Sequence, residues 1–440
     1  MQKLINKITD EFLTLSENKP IRLISHHDTD GITSAAILTK TFQRLERKFS
    51  VRIIKGIDEE IIEEEMRRNE NEIIVFSDLG SGNLHHFQNL KNPIFILDHH
   101  EIDKTQLNDK IKIINPHLVE GSDDICGAAV CYLFSKKISP KNKDLAKLGI
   151  IGMIGDRHER NISKTYQEII NDSEGLEIKK SLLIFSATRP LRRSLFYSTS
   201  CYIPGVTAST TGVREILREN NISPERTLHE LNDDEVSRLV TSVMVRRAGK
   251  RNEDEIIGNV YLLKFFNRKE DVRELSTLIN SCSRQGHYST AIFFCLENAT
   301  AKKEAEDLYI QYKQELVSGL KIVEKIEKQK GDGFVILNAK GTIKDALIGT
   351  ICSMISSSPD YEEGTILIGM AYNKDKIKVS ARIAGQGGKN LREVMESAVI
   401  DLDAEVGGHN MAAGCLIRKE DEEKFVQSLT KHLQIEIVKV

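Results

Sequence analysis

The sequence predicts an α/β protein in three parts: a parallel-sheet domain over residues 1–165, a mostly helical middle region with a connecting helix over 166–330, and a smaller α/β domain over 331–440. Three observations carry that reading. Between residues 21 and 155 short apolar runs alternate with helical stretches, as a doubly wound parallel sheet requires. Strand signals thin out through 160–300 and return from Gly331 onward. A chain of 440 residues is also too long for one ordinary domain.

Taken in order, residues 1–18 read as an amphipathic helix. Ile21-Arg22-Leu23-Ile24 is a strand running into Ser25-His26-His27-Asp28-Thr29-Asp30-Gly31, where Gly31 permits a tight turn before a helix opening at Thr33. Residues 57–70 form a charged helix with Ile57, Ile61 and Ile62 on its apolar side. The strand Glu72–Phe76 ends in Ser77-Asp78, then Gly80, and the strand Pro93–Ile96 ends in Leu97-Asp98-His99-His100. Leu148–Ile154 is a small-residue apolar segment that ends in Gly155-Asp156 and is grouped with these strand ends. One strand is expected near Ile256–Leu263. Residues 300–330 form a charged helix with Leu308, Tyr312, Leu316, Leu320 and Val323 as a core-facing stripe, too short in heptads for a coiled coil. Strands follow at Gly333–Leu337, Thr365–Gly369 and Lys376–Ser380.

Composition excludes several classes. With 40% hydrophobic and 29% charged residues the chain reads as globular. It has no apolar run of membrane-spanning length, and Met1–Lys7 is polar, unlike a secretion signal, so a cytoplasmic protein is expected. Seven cysteines without paired spacing fit reduced thiols and give no zinc-finger pattern, and Cys126, Cys131, Cys282 and Cys295 sit in apolar contexts that suit core packing. A net charge of −3 is not that of an avid duplex binder. Local basic patches do exist at Arg189-Pro190-Leu191-Arg192-Arg193 and at Arg246–Arg251, as candidate tracks for the phosphates of a single strand. Tryptophan is absent, which leaves base stacking to Tyr, Phe, His or Arg, with Phe196 and Tyr197 near the first patch.

The placement of carboxylates and imidazoles is the chemical signal. An Asp after a strand is ordinarily a turn former or helix cap. Here four separate segments end in Asp, two of them with His: His26/Asp28/Asp30, Asp78, Asp98/His99/His100 and Asp156. Such ligands without thiolate favour Mn²⁺, Mg²⁺, Zn²⁺ or Fe²⁺, and the number of carboxylates points to two ions, Mn²⁺ the first choice and Mg²⁺ the second. Paired ions about 3.5–4 Å apart clamp the attacking and leaving oxygens of a phosphoryl displacement. His158 follows Asp156 closely enough for an outer contact to the site or a substrate contact but reads first as a satisfied loop histidine, His85-His86 read as surface residues, and His27, Asn115 and His117 receive no role.

His26-x-Asp28-x-Asp30-Gly31, Asp78, Asp98-His99-His100 and Asp156 resemble the motifs of the DHH phosphoesterase superfamily. Gly407-Gly408-His409-Asn410-Met411-Ala412-Ala413-Gly414, preceded by Ser380-Ala381-Arg382, resembles the superfamily's DHHA1 substrate-binding domain. Order, spacing and length are most similar to the archaeal RecJ-like single-strand-specific exonucleases, and Leu275–His287, with Asn280, Arg284 and Gly286, resembles a segment of that group. The pattern departs at His26, where bacterial RecJ proteins have Asp, and at Val406, where a third glycine is usual.

The resemblance implies metal-dependent hydrolysis of a phosphodiester. His26 and Asp28 would lean toward one ion, Asp30, His99 and Asp156 toward the other, with Asp78 bridging. His100 would act on a phosphate oxygen or the leaving group and Asp98 would orient a histidine. Arg382, Gly407, Gly408 and His409 would hold the terminal phosphate, with Arg189, Arg192, Arg193 and Arg284 as further nucleic-acid contacts and a strand end entering between the domains. It also implies replication or repair, with the GINS complex or a fork-processing helicase as partner. A short-oligonucleotide (nanoRNase) or cyclic-dinucleotide phosphodiesterase shares the motifs. A replication scaffold is the other alternative, and the intact Asp/His set argues against it. Length and the Gly407-Gly408-His409 motif disfavour a family II inorganic pyrophosphatase.

Overall fold

The computed structural model describes all residues except 69–70, 88–89, 108–109, 185, 199–200, 202, 248–255, 358–359, 386, 405 and 435–440. The part of the second basic patch from Ala248 to Arg251 therefore lies outside the described residues. The chain forms two compact units. The first comprises Met1–Ser181, Ser186–Thr188 and Gly258–Tyr309, and the second Leu182–Phe185, Arg189–Ile257 and Ile310–Val440.

In the first unit, β1 (Ile21–His26), β2 (Phe49–Ile54), β3 (Ile73–Ser77), β4 (Ile94–Leu97) and β5 (Ile111–Ile114) form a sheet of order β2-β1-β3-β4-β5. Every pairing in it is parallel, so all carboxyl ends meet at one edge. Its helices include α1 (Gln2–Leu15), α2 (Thr29–Arg44), α3 (Glu59–Met66), α4 (Gly127–Ile138) and α5 (Ala146–Gly155). A core of Ile24, Ile74, Phe76, Ile94 and Ile96 packs with Ile62 of α3 and with Leu84 and Phe87 from the turn after β3. Phe12 of α1, fully buried, meets the rings of Phe42, Phe95 and Phe134 at 5.7, 5.3 and 5.2 Å. Burial of β1, β3 and β4 on both faces explains why they read as continuous apolar runs.

Two expectations are corrected here. Leu148–Ile154, grouped with the strand ends, belongs to helix α5, with Asp156 at its C-cap. An apolar run of that length does not by itself separate a buried strand from a buried helix, and here tertiary packing decides. A Cβ at Gly152 would stand 2.4 Å from Ala128 Cβ and 2.5 Å from an Asp30 oxygen, so only glycine lets α5 approach α4 and α2 this closely. The middle region also holds more than one strand: β6 (Glu177–Leu182), β7 (Ile257–Phe265) and β8 (Arg268–Asp271) form a sheet of order β6-β7-β8. β6 reads Glu-Ile-Lys-Lys-Ser-Leu and β8 Arg-Lys-Glu-Asp, so neither shows an apolar pattern. The turn Phe266-Asn267, both at positive φ, pairs β8 to β7 as a hairpin. The helix Val272–Arg284 follows, capped by Asp271, which accepts from Arg273 N.

In the second unit, β9 (Gln329–Gly331), β10 (Phe334–Asn338), β11 (Ile366–Asn373), β12 (Lys376–Ile383), β13 (Val406–His409) and β14 (Ala412–Arg418) form a mixed sheet of order β13-β14-β12-β11-β10-β9. One core contains Ile336, Ile368, Met370 and Val379 with Met395, Phe425 and Leu429. A second contains Leu337 and Leu367 with Ile348 and Ile351, and the stripe residues Tyr312, Leu316, Leu320 and Val323 pack there as expected. All seven cysteines are buried and unbridged. Among the described residues no helix is long and apolar enough to cross a membrane.

Candidate metal centre

The parallel edge gathers the acidic groups. β1 ends at His26; Asp28 caps α2, accepting from Gly31 N at 3.0 Å, and Asp30 lies in its first turn. Asp30 is 1% exposed, and its oxygens accept from Gly127 N (2.6 Å) and Ala128 N (2.9 Å) at the start of α4, where the helix dipole favours a carboxylate. Asp78 follows β3 in the left-handed region, at φ 57°. A Cβ on Gly127 would stand 2.7 Å from the Asp78 side chain and 2.9 Å from an Asp30 oxygen, so the glycine makes room for both carboxylates.

The distances fall into two sets joined at one residue. His26 Nδ1 lies 3.1 Å from Asp28 Oδ2 and 3.6 Å from Asp78 Oδ2. His99 Nε2 lies 3.3 Å from Asp78 Oδ1, 3.4 Å from Asp156 Oδ2 and 3.9 Å from Asp30 Oδ2. Asp78 thus turns one oxygen to each histidine. Ligand atoms lie within 4.8 Å of one another in three overlapping groups: His26/Asp28/Asp78, Asp78/Asp98/His99/His100 and His99/Asp156/His158.

These groups fit divalent cations. Both Asp78 oxygens are buried without a hydrogen-bond partner, an expensive state for a carboxylate. Burial and the Asp28 charge push the Asp78 carboxyl up; burial and the Asp78 charge push Asp30 well up; burial and the charges of Asp30 and Asp28 push Asp156 well up. Burial works against charging the imidazoles, but Asp28 and Asp78 outweigh it and raise His26 to about 11. Asp78, Asp30 and Asp156 likewise raise His99 to about 10. Oxygen and imidazole donors without thiolate are the set that Mn²⁺ and its neighbours accept.

A supporting network fixes the loop after β4. Asp98, fully buried, accepts from Ser81 N (2.9 Å), His99 N (2.8 Å) and His100 Nδ1 (2.8 Å). Burial alone would raise it, but His100, His99 and Ser81 hold it well below the carboxylate range, and the bond to Asp98 raises His100 in turn. Asn115, buried just beyond β5, donates to Ser81 Oγ (2.8 Å) and His100 O (2.9 Å). Its position repeats the pattern of a polar residue closing an apolar strand, which was the signal for it in the sequence.

The helix Val272–Arg284 braces the centre. Thr29 Oγ1 donates to Ser276 O at 3.0 Å, and Ser283 Oγ donates to the His27 carbonyl. Arg284 lies near His27, where burial and the charges of His26, Arg284 and Lys55 outweigh Asp28 and lower the imidazole to about 4. His158, read from sequence as a loop histidine, instead joins His99 and Asp156, because the turn after α5 brings it back toward them. His85 and His86 stand on the turn Ser81–Phe87 with their rings 3.9 Å apart, His85 exposed and His86 half-buried.

The second unit holds the remaining candidates. Arg382 on β12 donates from Nε to Ser353 Oγ at 2.8 Å. The register Arg382–Ala412–His409 sets Arg382 and His409 on one row, two strand spacings apart, roughly 10 Å. Gly407, Gly408 and His409 are exposed. Arg192 and Arg193 lie on the short helix Leu191–Phe196, just after Arg189, and Arg192 pairs with Glu225 at 2.6 Å.

Known proteins align with this arrangement. The DHH family N-terminal domain matches residues 20–153, the DHHA1 domain 331–434, and the archaeal Cdc45 family 134–353, half of the chain. An uncharacterized protein of Methanocaldococcus jannaschii is 28% identical over 420 residues, 92% of this chain and 91% of its own. The structure of CDC45 from Entamoeba histolytica superposes with a TM-score of 0.70 at 12% identity, over 99% of both chains. That of RecJ in complex with Mn²⁺ from Thermus thermophilus gives 0.62 at 15% identity, over 99% of this chain and 55% of that one, so this chain spans about half of that RecJ. At such identities the structural likeness establishes the fold. With the archaeal Cdc45 family model matching half of the chain and the DHH and DHHA1 domain models matching on either side of its centre, the protein belongs to the archaeal Cdc45 family and carries DHH and DHHA1 domains.

Proposed function

We propose that this chain is a two-metal-dependent phosphodiesterase, a RecJ-like exonuclease of single-stranded DNA, RNA or both. The observation that carries the reading is Asp78, buried, without a hydrogen-bond donor, and facing His26 with one oxygen and His99 with the other. His26, Asp28 and Asp78 would hold one divalent ion, and Asp78, His99 and Asp156, with Asp30 beside them, the second; Mn²⁺ suits the set first and Mg²⁺ second. Such a pair, when bound, acidifies a water and neutralises charge on the phosphate.

The chain's own residues supply the rest. Asp98 holds His100 Nδ1 and favours its charged form, so His100 donates to a phosphate oxygen or the leaving group. Arg382 presents a planar donor fork for the terminal phosphate, with His409 in the same row and the backbone of Gly407 and Gly408 open to close approach. Arg284 and the group Arg189, Arg192 and Arg193 would follow the strand's phosphates, Arg192 leaving Glu225 to do so. On this reading residues 1–165 are the catalytic domain, 166–330 the middle region and 331–440 the substrate-binding domain of a cytoplasmic protein of replication or repair. GINS or a fork-processing helicase is the partner class.

The test is degradation of DNA and RNA single strands labelled at each end in turn, with Mn²⁺, with Mg²⁺ and with chelator. Chelator-sensitive shortening from one end is expected, and Asp78→Ala falls to the chelated background. Equal cleavage by wild type and Asp78→Ala would overturn the reading. The likeness to CDC45 over 99% of both chains favours a second reading, a replication factor that binds without cutting. Strand binding with no metal-dependent shortening would select it.

A further inference from the structure

We propose that His158 is a ligand of the second metal position, so that the two ions occupy chemically unequal pockets. One offers a single imidazole, His26, with Asp28 and Asp78, and the other offers two, His99 and His158, with Asp156 and the shared Asp78. This rests on the two-metal reading above and says which ion each half of that centre prefers.

The argument begins in the backbone. Helix α5 ends at Gly155, Asp156 takes the cap position, and Arg157 adopts a left-handed conformation (φ 60°, ψ 28°). That reversal returns residue 158 to the side of the chain that carries Asp156. A left-handed arginine is uncommon and persists only where its surroundings fix it. Arg157 N donates to Ile154 O at 3.2 Å, and the next residue but one, Glu159, pairs with Arg273 of the bracing helix at 3.4 Å. The His158 ring centroid lies 6.3 Å from that of His99 and 5.7 Å from that of Tyr166, itself fully buried and accepting from Cys126 N. The imidazole is therefore held in place beside His99 and Asp156, with one ligand atom from each of the three within 4.8 Å of the others.

Two imidazoles change what such a position takes. Mg²⁺ prefers oxygen donors and retained waters, whereas imidazole favours first-row transition ions. The pocket with His158 then selects Mn²⁺ over Mg²⁺ more strongly than its neighbour does. A histidine placed here only for packing against Tyr166 would leave metal uptake untouched.

The experiment is calorimetric titration of the full-length, chelator-stripped protein with Mn²⁺ and separately with Mg²⁺, on wild type, His158→Ala, His158→Gln and Asp78→Asn, folding being checked by circular dichroism in the stripped state. Wild type is expected to take two Mn²⁺. His158→Ala should weaken one of them about tenfold or more, leave the other, and change Mg²⁺ binding less. If the alanine variant does not fold, the glutamine variant, which keeps the length of the side chain without the imidazole, decides by the same criterion. Two Mn²⁺ retained within about twofold of wild type by the folded His158 variant, with uptake lost in Asp78→Asn, overturns the His158 assignment alone. Uptake that is absent in wild type, or indifferent to Asp78→Asn, overturns the metal centre with it.

Discussion

A carboxylate that is buried, left-handed in its backbone and without a donor, as Asp78 is, opposes folding in two ways, each of order 1–3 kcal/mol. A cation removes the larger of them. Saturating Mn²⁺, at about a hundred times its dissociation constant, should stabilise the wild-type protein by about 2.7 kcal/mol, read as a rise in melting temperature. Asp78→Asn should melt no lower than wild type in chelator and should lose that rise. Arg382→Ala, which removes the donor fork beside Ser353, should raise KM for a 5′- or 3′-phosphorylated strand well before it alters Mn²⁺ affinity, measured on the same preparation. The carboxylates at the strand ends were legible because each closes an apolar run that sequence patterning finds easily. His158 was not legible, since its direction depends on the left-handed turn at Arg157, and nothing about an arginine announces a positive φ.

Helices and strands extend the same lesson. α5 and α4 are pressed together because Gly152 and Gly127 lack side chains where Asp30, Asp78 and Ala128 stand. Gly152→Ala should cost about 1–3 kcal/mol of stability through overpacking and should weaken Mn²⁺ binding by displacing Asp30, measurable by denaturation and titration. At the other end of β1, Arg22 grips Glu65 of α3 at 3.1 and 3.0 Å, and Arg52 of β2 adds a bond of 2.9 Å. Burial would raise the Glu65 carboxyl, but Arg22 and Arg52 hold it below its ordinary value. A carboxylate lowered in the folded state contributes stability above its unfolded pKa and loses it as pH falls through the folded value. Glu65→Gln should therefore cost about 3–5 kcal/mol near pH 7, and the difference from wild type should shrink below about pH 4, as followed by urea denaturation at each pH. The strand β6 and the hairpin strand β8 escaped the sequence reading because their charged side chains carry no periodicity, and their pairing to β7 is visible only in three dimensions.

At the scale of the whole molecule, the unit that holds the Asp/His cluster is built from separate stretches of chain, chiefly Met1–Ser181 and Gly258–Tyr309. The stretch 166–330 contributes to both units, and contacts such as Thr29 with Ser276 join residues far apart along the chain. A fragment of residues 1–165 lacks the helix Val272–Arg284 that packs against α2 and holds the His27 carbonyl. It should aggregate or melt far below the full chain and show no Mn²⁺-dependent rise, by light scattering and thermal denaturation.

The discontinuity also bears on synthesis. At roughly 5–20 residues per second, a ribosome that has just finished Ser181 needs on the order of ten seconds more before Tyr309 is made. Throughout that interval the nascent sheet edge, with its crowded acids, waits for a brace that has not yet been translated. Capture of a divalent cation would accordingly be a late event in the life of each new polypeptide.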